Sequence, residues 1–334
     1  MKKTASKDRD FRRNRIERLL KLWEEHSAIT SGWRGIGDCH GSDSLICFME
    51  RDSEFAPLKN RANNEGIEVE PLFIYDLPSS SSKSSPCDFQ SLQPGSQISA
   101  SETGTLGTFL SFNDPPCPDD PIYLLSCCHV LCPDGPVRDQ SGIIVSTSRP
   151  VSDDILDVAI ASLDHPENAD PMNASLRFTT GNPVPLNPGD IVGKLGSKTC
   201  LTFGKYCCNA PKFLLSHYGS DREFTEVNNS LVIGSQPGQP FLAKEDSGAI
   251  VVDSVGRPAA LIVSGACLVA VSGISSKPDR TSPMDCMSPL AIAVPFDQVL
   301  LNLQRLITDP KHKDRSLKMV TKKAKKLGNA TTID

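Results

Sequence analysis

Residues 244–252 constrain this chain more than any other stretch, and they read Lys-Glu-Asp-Ser-Gly-Ala-Ile-Val-Val. The β-branched run from Ile250 predicts a strand, and Gly248 predicts a tight turn directly before it. Ser247 would then stand exposed at the edge of a strand, on a rigid support. Because a hydroxyl is a weak nucleophile near neutral pH, a catalytic role for Ser247 requires a base within hydrogen-bond reach and a third group that orients the base.

Two upstream segments supply candidates for these two groups. An apolar run that begins at Tyr123 leads to His129, and Asp157 directly precedes the apolar residues Val-Ala-Ile. A histidine can act as the base, and a carboxylate can hold its ring in place. Asp154, earlier in the same loop, is the alternative acid. The order along the chain is therefore histidine, aspartate, serine.

These three segments resemble, in order, those around the catalytic triad of trypsin-like serine proteases, the chymotrypsin-fold PA clan, and especially its compact bacterial and HtrA-like members. A fourth segment, residues 291–300, resembles the last strand and the entry to the C-terminal helix of that domain. The resemblance covers about residues 98–307. It implies an all-β fold with two Greek-key barrels, a site between them and a short C-terminal helix.

The resemblance also implies the chemistry. Ser247 would attack the scissile carbonyl, His129 would carry the proton, and Asp157 would orient the imidazole. The backbone N–H groups of Glu245 and Ser247 would bind the developing oxyanion. The expected activity is that of a serine endopeptidase that hydrolyses polypeptides through an acyl-enzyme, with no cofactor and no metal.

One residue departs from the family pattern. The family usually has glycine at the position of Glu245, because the peptide there must turn its N–H toward the oxyanion in a conformation that a side chain resists. An alternative therefore stays open: a catalytically inactive trypsin-fold protein that acts as a binding module.

The resemblance further suggests a substrate pocket and an internal partner for Asp246. The spacing of the family places Phe241 at the floor of the primary pocket and Val263, Ser264 and Gly265 in its wall. With no acid at the floor, cleavage after Lys or Arg is not expected. No activating amino terminus of the Ile-Val-Gly-Gly type precedes this domain, so we expect Asp246 to pair with a group inside it.

A cluster of cysteines raises a different possibility, a zinc site, because thiolates and imidazole are preferred zinc ligands. The spacing matches no standard Cys-x-x-Cys pair, and adjacent side chains on a strand point to opposite faces. The sequence therefore favours a hydrolase without metal over this alternative. The residues concerned are Cys127, Cys128, His129 and Cys132, with Cys207 and Cys208 further along.

Composition narrows the functional class and the compartment. The net charge of the 334 residues is -5, which does not indicate nucleic-acid binding. No apolar stretch has the length of a secretory signal or a membrane span. We therefore expect a cytoplasmic or nuclear protein without membrane insertion, in which the twelve cysteines are reduced thiols.

Four regions are predicted along the chain. They are an N-terminal extension (1–78), a serine-rich linker (79–97), the peptidase domain (98–307) and a basic, solvated C-terminal tail (308–334). The extension begins with a basic amphipathic helix, and self-processing or inhibition by this region is a further hypothesis. The helix is predicted to pack its apolar stripe on the protease or a partner; that stripe contains Ile16, Leu19, Leu20 and Trp23.

Overall fold

The computed structural model of the chain describes most of its length. The described residues are 2–26, 32–38, 44–50, 53–77, 91–100, 102–117, 119–132, 135–171, 182–216, 224–268, 289–307 and 315–321. Most of the predicted linker, residues 79–90, lies outside them, as do residues 308–314 and 322–334 of the predicted tail.

Strands dominate the architecture. The helices are α1 (Lys2–His26), α2 (Ala56–Asn64), α3 (Cys128–Leu131) and α4 (Phe296–Leu306). The first strands are β1 (Trp33–Asp38), β2 (Leu45–Glu50), β3 (Val69–Asp76), β4 (Gln97–Ser99), β5 (Thr103–Thr105), β6 (Thr108–Ser111), β7 (Tyr123–Cys127), β8 (Val137–Asp139), β9 (Ile144–Ser146), β10 (Val151–Asp153) and β11 (Val158–Ser162). The remaining strands are β12 (Ile191–Gly196), β13 (Cys200–Ser216), β14 (Phe224–Ser235), β15 (Ile250–Val252), β16 (Pro258–Leu268), β17 (Leu290–Pro295) and β18 (Lys318–Met319).

The second half of the chain forms a closed six-stranded antiparallel barrel. Its strands follow one another in the order β12, β13, β14, β17, β16 and β15, and β15 pairs back with β12. Closure leaves the barrel without a free edge. Apolar side chains from alternate positions fill its interior, including Val192, Tyr206, Ile233 and Ile262.

The first half forms the other barrel-like unit from two sheets. One has the strand order β10-β11-β7-β6-β18 and the other β5-β4-β8-β9. Leu106, Phe109, Leu125 and Ile160 are buried between them. Helix α4 packs against β10 and β16, and so touches both halves. The predicted all-β double barrel with a short C-terminal helix is confirmed.

The N-terminal extension is joined to the second barrel through hydrogen-bonded strands. Strands β2 and β3 are parallel and are connected by α2, as a crossover requires. Strand β1 pairs with the outer part of β13, and β3 pairs with the end of β16. The long strands β13 and β16 therefore carry the barrel and the extension together.

Helix α1 covers the sheet of the extension with its predicted apolar stripe. Leu19 and Trp23 are buried, and Ile16 and Leu20 pack against the same cluster. The indole of Trp23 meets that of Trp33 edge-on, with ring centroids 4.6 Å apart. Among the described residues, no helix combines the length and the hydrophobicity that crossing a membrane requires.

Part of the predicted C-terminal tail is packed. Strand β18 pairs with β6, and Leu317, Met319 and Val320 are buried in the first half. Arg315 also forms an ion pair of 2.7 Å with Asp120. Residues 315–321 thus differ from the predicted solvated tail, because three apolar side chains within this basic segment fill the open side of β6.

The cysteines also depart in one place from the predicted reduced state. Cys200 is disulfide-bonded. Cys127 and Cys128 directly precede His129 in the chain, and Cys132 follows it three residues later.

Candidate active site

The pairing of β7 with β11 brings His129 and Asp157 together. Val158 lies opposite Cys127, so the residues just outside this pair, Asp157 and Cys128, are neighbours. Asp157 adopts a left-handed backbone with φ 54°, and its carbonyl accepts the N–H of Cys128 at 3.0 Å. This bend turns its carboxylate toward the first turn of α3, where His129 follows.

The carboxylate of Asp157 holds the histidine at two points. Oδ1 accepts the backbone N–H of His129 at 3.1 Å, and Oδ2 lies 2.6 Å from the ring Nδ1. With Nδ1 as donor, the lone pair of Nε2 is left to accept a proton. The alternative acid, Asp154, instead accepts hydrogen bonds from Cys128 and Ser152.

Charge around the imidazole raises its proton affinity. Burial by itself lowers the pKa of His129, but the charge and hydrogen bond of Asp157, with a smaller contribution from Glu102, outweigh it. Lys244 acts in the opposite direction. The net pKa of His129 is raised above the ordinary value, as suits a base that must accept a proton during a reaction.

Ser247 follows a single 3₁₀ turn, residues Lys244–Asp246, and is separated from β15 by two residues. Gly248 after it has φ 96°, and a Cβ there would lie 2.2 Å from Ser126 Oγ and 2.3 Å from the carbonyl oxygen of Thr105. Only glycine fits this close approach. We refer to residues 244–248, which contain the predicted nucleophile Ser247, as the nucleophile turn.

The nucleophile turn is docked on β5 of the first half. The N–H of Thr105 donates to the carbonyl of Ser247 at 2.8 Å, and the Thr105 hydroxyl donates to the carbonyl of Glu245 at 2.9 Å. A Cβ at Gly104 would lie 2.3 Å from Val130 and 3.0 Å from the Ser247 carbonyl oxygen. One strand thus touches both the nucleophile turn and the helical turn that carries His129.

Asp246 fixes the nucleophile turn to the second barrel through its carboxylate. Its fully buried carboxylate lies 2.9 Å from Nζ of Lys194, which is also fully buried. Oδ2 accepts further bonds from the Thr199 hydroxyl at 2.7 Å and the Ala243 N–H at 2.9 Å. Oδ1 accepts the N–H groups of Lys198 and Thr199 at 3.0 and 3.2 Å. The predicted internal pairing of Asp246 is confirmed, and its partner is Lys194.

The predicted oxyanion site has a hydrogen-bond acceptor next to Ser247. The hydroxyl of Ser247 donates to the carbonyl oxygen of Lys244 at 3.3 Å. An oxyanion needs N–H donors at this place. The arrangement therefore requires the peptide between Lys244 and Glu245 to rotate before the N–H of Glu245 can act as a donor.

The predicted substrate pocket is occupied in part by leucines. Phe241, the predicted floor, is fully buried in the barrel core, with its ring centroid 5.4 Å from Nζ of Lys194. We therefore leave it out of the proposed site. A Cβ at Gly265 would lie 2.1 Å from Leu242 and 2.5 Å from Leu77. Leu77, at the end of β3, thus brings the N-terminal extension to the wall residue Gly265.

Val263 and Ser264, the other predicted wall residues, follow Ile262 on β16. Ile262 exchanges two backbone hydrogen bonds with Gly248 and Ala249, next to Ser247. Val263 is buried and Ser264 is half-buried. The structure therefore places this predicted wall directly beside the nucleophile turn.

Among the described residues, Cys127 is the one cysteine of the zinc hypothesis that lies in a possible ligand group with His129. Cys127, His129 and Asp157 offer potential ligand atoms within 4.8 Å of one another, and within the described part of the chain this group does not include Cys128 or Cys132. The Cys127 thiol donates to the Ile262 carbonyl at 3.2 Å, and burial, followed by the charge of Asp157, raises its pKa. A thiol kept protonated in this way is a poor ligand.

Three residues that matter for the site were missed in the sequence. Lys194 lies in an otherwise apolar strand, and the sequence does not show which carboxylate it pairs with. Thr105 and Leu77 are ordinary residues whose importance comes from contacts across the fold. The one available signal was the lysine itself, the only charged residue within Ile191–Gly196.

Comparison with known proteins relates the chain to solved structures only. No family model and no curated protein matches the sequence. The structure is similar to a glutamic acid specific serine protease, with 16% identity, 63% of this chain and 97% of that chain covered, and a TM-score of 0.43. It is also similar to Thermobifida fusca Protease A, with 11% identity, 69% of this chain and 100% of that chain covered, and a TM-score of 0.41. For Nocardiopsis protease the identity is 13%, the covered shares are 69% of this chain and 100% of that chain, and the TM-score is 0.41. The fold assignment rests on the strand order of this chain.

The buried ion pair under the nucleophile turn gives a direct test. We expect Lys194→Met to lower the free energy of unfolding by ~3–5 kcal/mol, because it leaves the carboxylate of Asp246 buried without its cation. Urea unfolding at neutral pH measures the loss. The double variant Lys194→Met, Asp246→Asn should recover much of it, since no charge is then left unpaired. Equal midpoints for wild type and Lys194→Met would contradict this account.

Proposed function

We propose that this chain is a serine endopeptidase that cleaves polypeptides through an acyl-enzyme on Ser247. The observation that carries the proposal is the carboxylate–imidazole pair of Asp157 and His129, held beside the nucleophile turn by β5. A buried carboxylate on Nδ1 fixes the tautomer that leaves Nε2 as the base. The trypsin-like double barrel is compatible with this chemistry.

In the proposed reaction, Ser247 Oγ forms a bond to the scissile carbonyl carbon while its proton passes to Nε2 of His129. The carbonyl electron pair moves to oxygen and returns as the C–N bond breaks, and His129 donates its proton to the leaving amine. A water molecule then repeats the sequence and releases the acid. Asp157 stabilises the imidazolium formed in each half-reaction.

The oxyanion donors form when the Lys244–Glu245 peptide rotates. Rotation by about half a turn moves the Lys244 carbonyl away from Ser247 and brings the Glu245 N–H toward the developing charge. It also changes the φ angle of Glu245, which is not positive in the structure, to a positive value. For a residue with a Cβ this costs about 1–2 kcal/mol relative to glycine. Substrate contacts would have to supply that energy.

The substrate would bind as an extended strand along β16. Residues 263–265 lie between the part of β16 that pairs with β15 and the part that pairs with β3. An extended peptide can add its backbone to such an edge next to the nucleophile. Leu77 and Leu242, packed against Gly265, would give this groove an apolar surface suited to a small or medium apolar side chain.

A second candidate function is favoured by the carbonyl of Lys244. In the conformation described, this acceptor faces the Ser247 hydroxyl, and Ser247 is only 9% exposed. A chain that never rotates this peptide would be catalytically inactive and would use the same groove to bind an extended polypeptide. The two candidates differ in whether Ser247 can be acylated or phosphonylated.

Labelling with a fluorophosphonate distinguishes the two functions. We expect the wild type to become covalently labelled on Ser247, and Ser247→Ala and His129→Ala to lose more than 99% of the labelling rate, consistent with losses of ~10³-fold or more. His165→Ala is the matched control, because His165 is exposed and pairs with Glu167 away from the site. A folded wild type that stays unlabelled at high probe concentration would favour the binding module.

Substitution of Glu245 tests the peptide rotation. Glu245→Gly should accelerate labelling by ~5- to 30-fold, which corresponds to the 1–2 kcal/mol of backbone strain that glycine avoids. Glu245→Ala removes the charge but keeps a Cβ, so its rate should stay within ~3-fold of the wild type. Equal acceleration by alanine would show that charge, not backbone conformation, controls the rate.

A further inference from the structure

Two thiols flank the candidate base on its own helical turn. Cys128 precedes His129 at the start of α3, and Cys132 follows the end of that helix. The N–H of Cys132 donates to the carbonyl of Cys128 at 2.6 Å, which closes one turn of helix, and the two thiols are hydrogen-bonded to each other. Neither the fold nor the proposed hydrolysis needs this pair.

The pair lies at the edge of the hydrophobic core, where polar groups and solvent also reach it. Both residues are half-buried, whereas their neighbour Cys127 is fully buried. The single thiol proton of Cys128 can go either to the sulfur of Cys132 or to the Asp154 carboxylate, 3.2 Å away. The hydroxyl of Ser152 has the same choice, with the carboxylate at 3.0 Å. A reagent can therefore approach these sulfurs but not that of Cys127.

The two sulfurs also differ in acidity. Hydrogen bonding from Cys128, and a further bond from Ser152, lower the pKa of Cys132 to about 7, against the opposing effects of burial and of the charges of Asp154 and Asp157. The same contact with Cys132, followed by burial and by Asp154, raises the pKa of Cys128. Near neutral pH the sulfur of Cys132 is thus about half thiolate, with the protonated thiol of Cys128 beside it, the arrangement found in oxidation-sensitive pairs.

We propose that Cys128 and Cys132 form an oxidation site for small hydroperoxides, in which a disulfide closes the helical turn that carries His129. The sulfur of Cys132 attacks the peroxide, breaks its O–O bond and becomes a sulfenic acid, while the other oxygen leaves as hydroxide or alkoxide. The Cys128 sulfur then bonds to the Cys132 sulfur and displaces the hydroxyl group. The displaced hydroxyl group takes the thiol proton of Cys128 and leaves as water. The hydroxide or alkoxide released in the first step takes one proton from solvent and becomes water or an alcohol. Two electrons pass from the thiols to the peroxide.

The backbone geometry fits this product. Residues four apart on a helix have Cα atoms about 6 Å apart, within the range of about 4.4–6.8 Å that disulfides span. Because the N–H of Cys132 and the carbonyl of Cys128 are already bonded, the backbone needs little movement. The sulfurs must approach from hydrogen-bond contact to bonding distance, and this contraction pulls on both ends of the turn between them.

The consequence for the base rests on the proposed function. His129 lies between the bridged residues, and both its N–H and its ring are aligned on Asp157. A shift of this turn by a fraction of an ångström misaligns Nε2 with Ser247, and such displacements reduce rates severely. The oxidised chain should therefore label with fluorophosphonate at least ~10-fold more slowly, and dithiothreitol should restore the rate.

The test treats the full chain with a small excess of hydrogen peroxide at neutral pH. Peptide mapping without reduction should show a Cys128–Cys132 disulfide. Cys117→Ser, an exposed cysteine elsewhere, should leave both the bridge and the loss of labelling unchanged. Cys128→Ser and Cys132→Ser should abolish the bridge and keep the labelling rate after brief oxidation and reduction of any sulfenic acid. Unfolding curves verify that each variant is folded.

Two outcomes would overturn the proposal. One is oxidation of Cys117 as fast as that of Cys132 without a Cys128–Cys132 bridge, which would show that exposure alone governs reactivity. The other is a complete bridge with an unchanged labelling rate, which would separate the pair from His129. If the reduced wild type does not label at all, peptide mapping still decides whether the bridge forms, so failure of the proposed function and failure of the oxidation site are distinguishable.

Discussion

The buried carboxylate of Asp246 is the constraint on which the candidate site depends. A carboxylate inside a barrel is unfavourable unless it is paired and fully hydrogen-bonded. Lys194 supplies the charge, while the loop from Lys198 to Thr199 and the backbone of Ala243 supply the remaining donors. Each of these contacts also fixes the direction in which the next residue, Ser247, leaves the turn. A Cβ at Gly196 would lie 2.1 Å from the same carboxylate, so the neighbouring strand is fitted closely to it.

The N-terminal extension changes what surrounds this site. Its strands β1 and β3 attach at two places on the second barrel, so the extension is built into the same sheet as the predicted pocket wall. Since β3 runs antiparallel to β16, its end at Leu77 lies toward Ile262 and the nucleophile turn. A peptide on the edge of β16 would therefore meet the end of β3. This arrangement gives a physical basis for an influence of the extension on substrate binding.

The resemblance of four short motifs to a known family predicted the fold, and local patterns predicted part of the site because they depend on short-range pairings. The apolar runs that end near His129 and begin after Asp157 became neighbouring strands, and their register brings the two side chains together. Lys194 could not be predicted, since only the tertiary fold shows that Asp246 lies against it. Phe241 was placed by spacing alone, and spacing does not reveal whether a ring faces a cleft or a core. Within the basic C-terminal segment, Met319 gave no periodic signal for the short strand that it helps to form.

The central claim is that Asp157 makes His129 the base that activates Ser247, and the pH dependence of fluorophosphonate labelling tests it most directly. Since the base must be neutral and its pKa is raised, the labelling rate should fall as the pH drops through a midpoint above ~6.5, the ordinary value for histidine. Asp157→Asn should move that midpoint to lower pH and reduce the maximal rate. A rate that does not depend on pH between ~5 and 9, or a midpoint unchanged in Asp157→Asn, would contradict the claim.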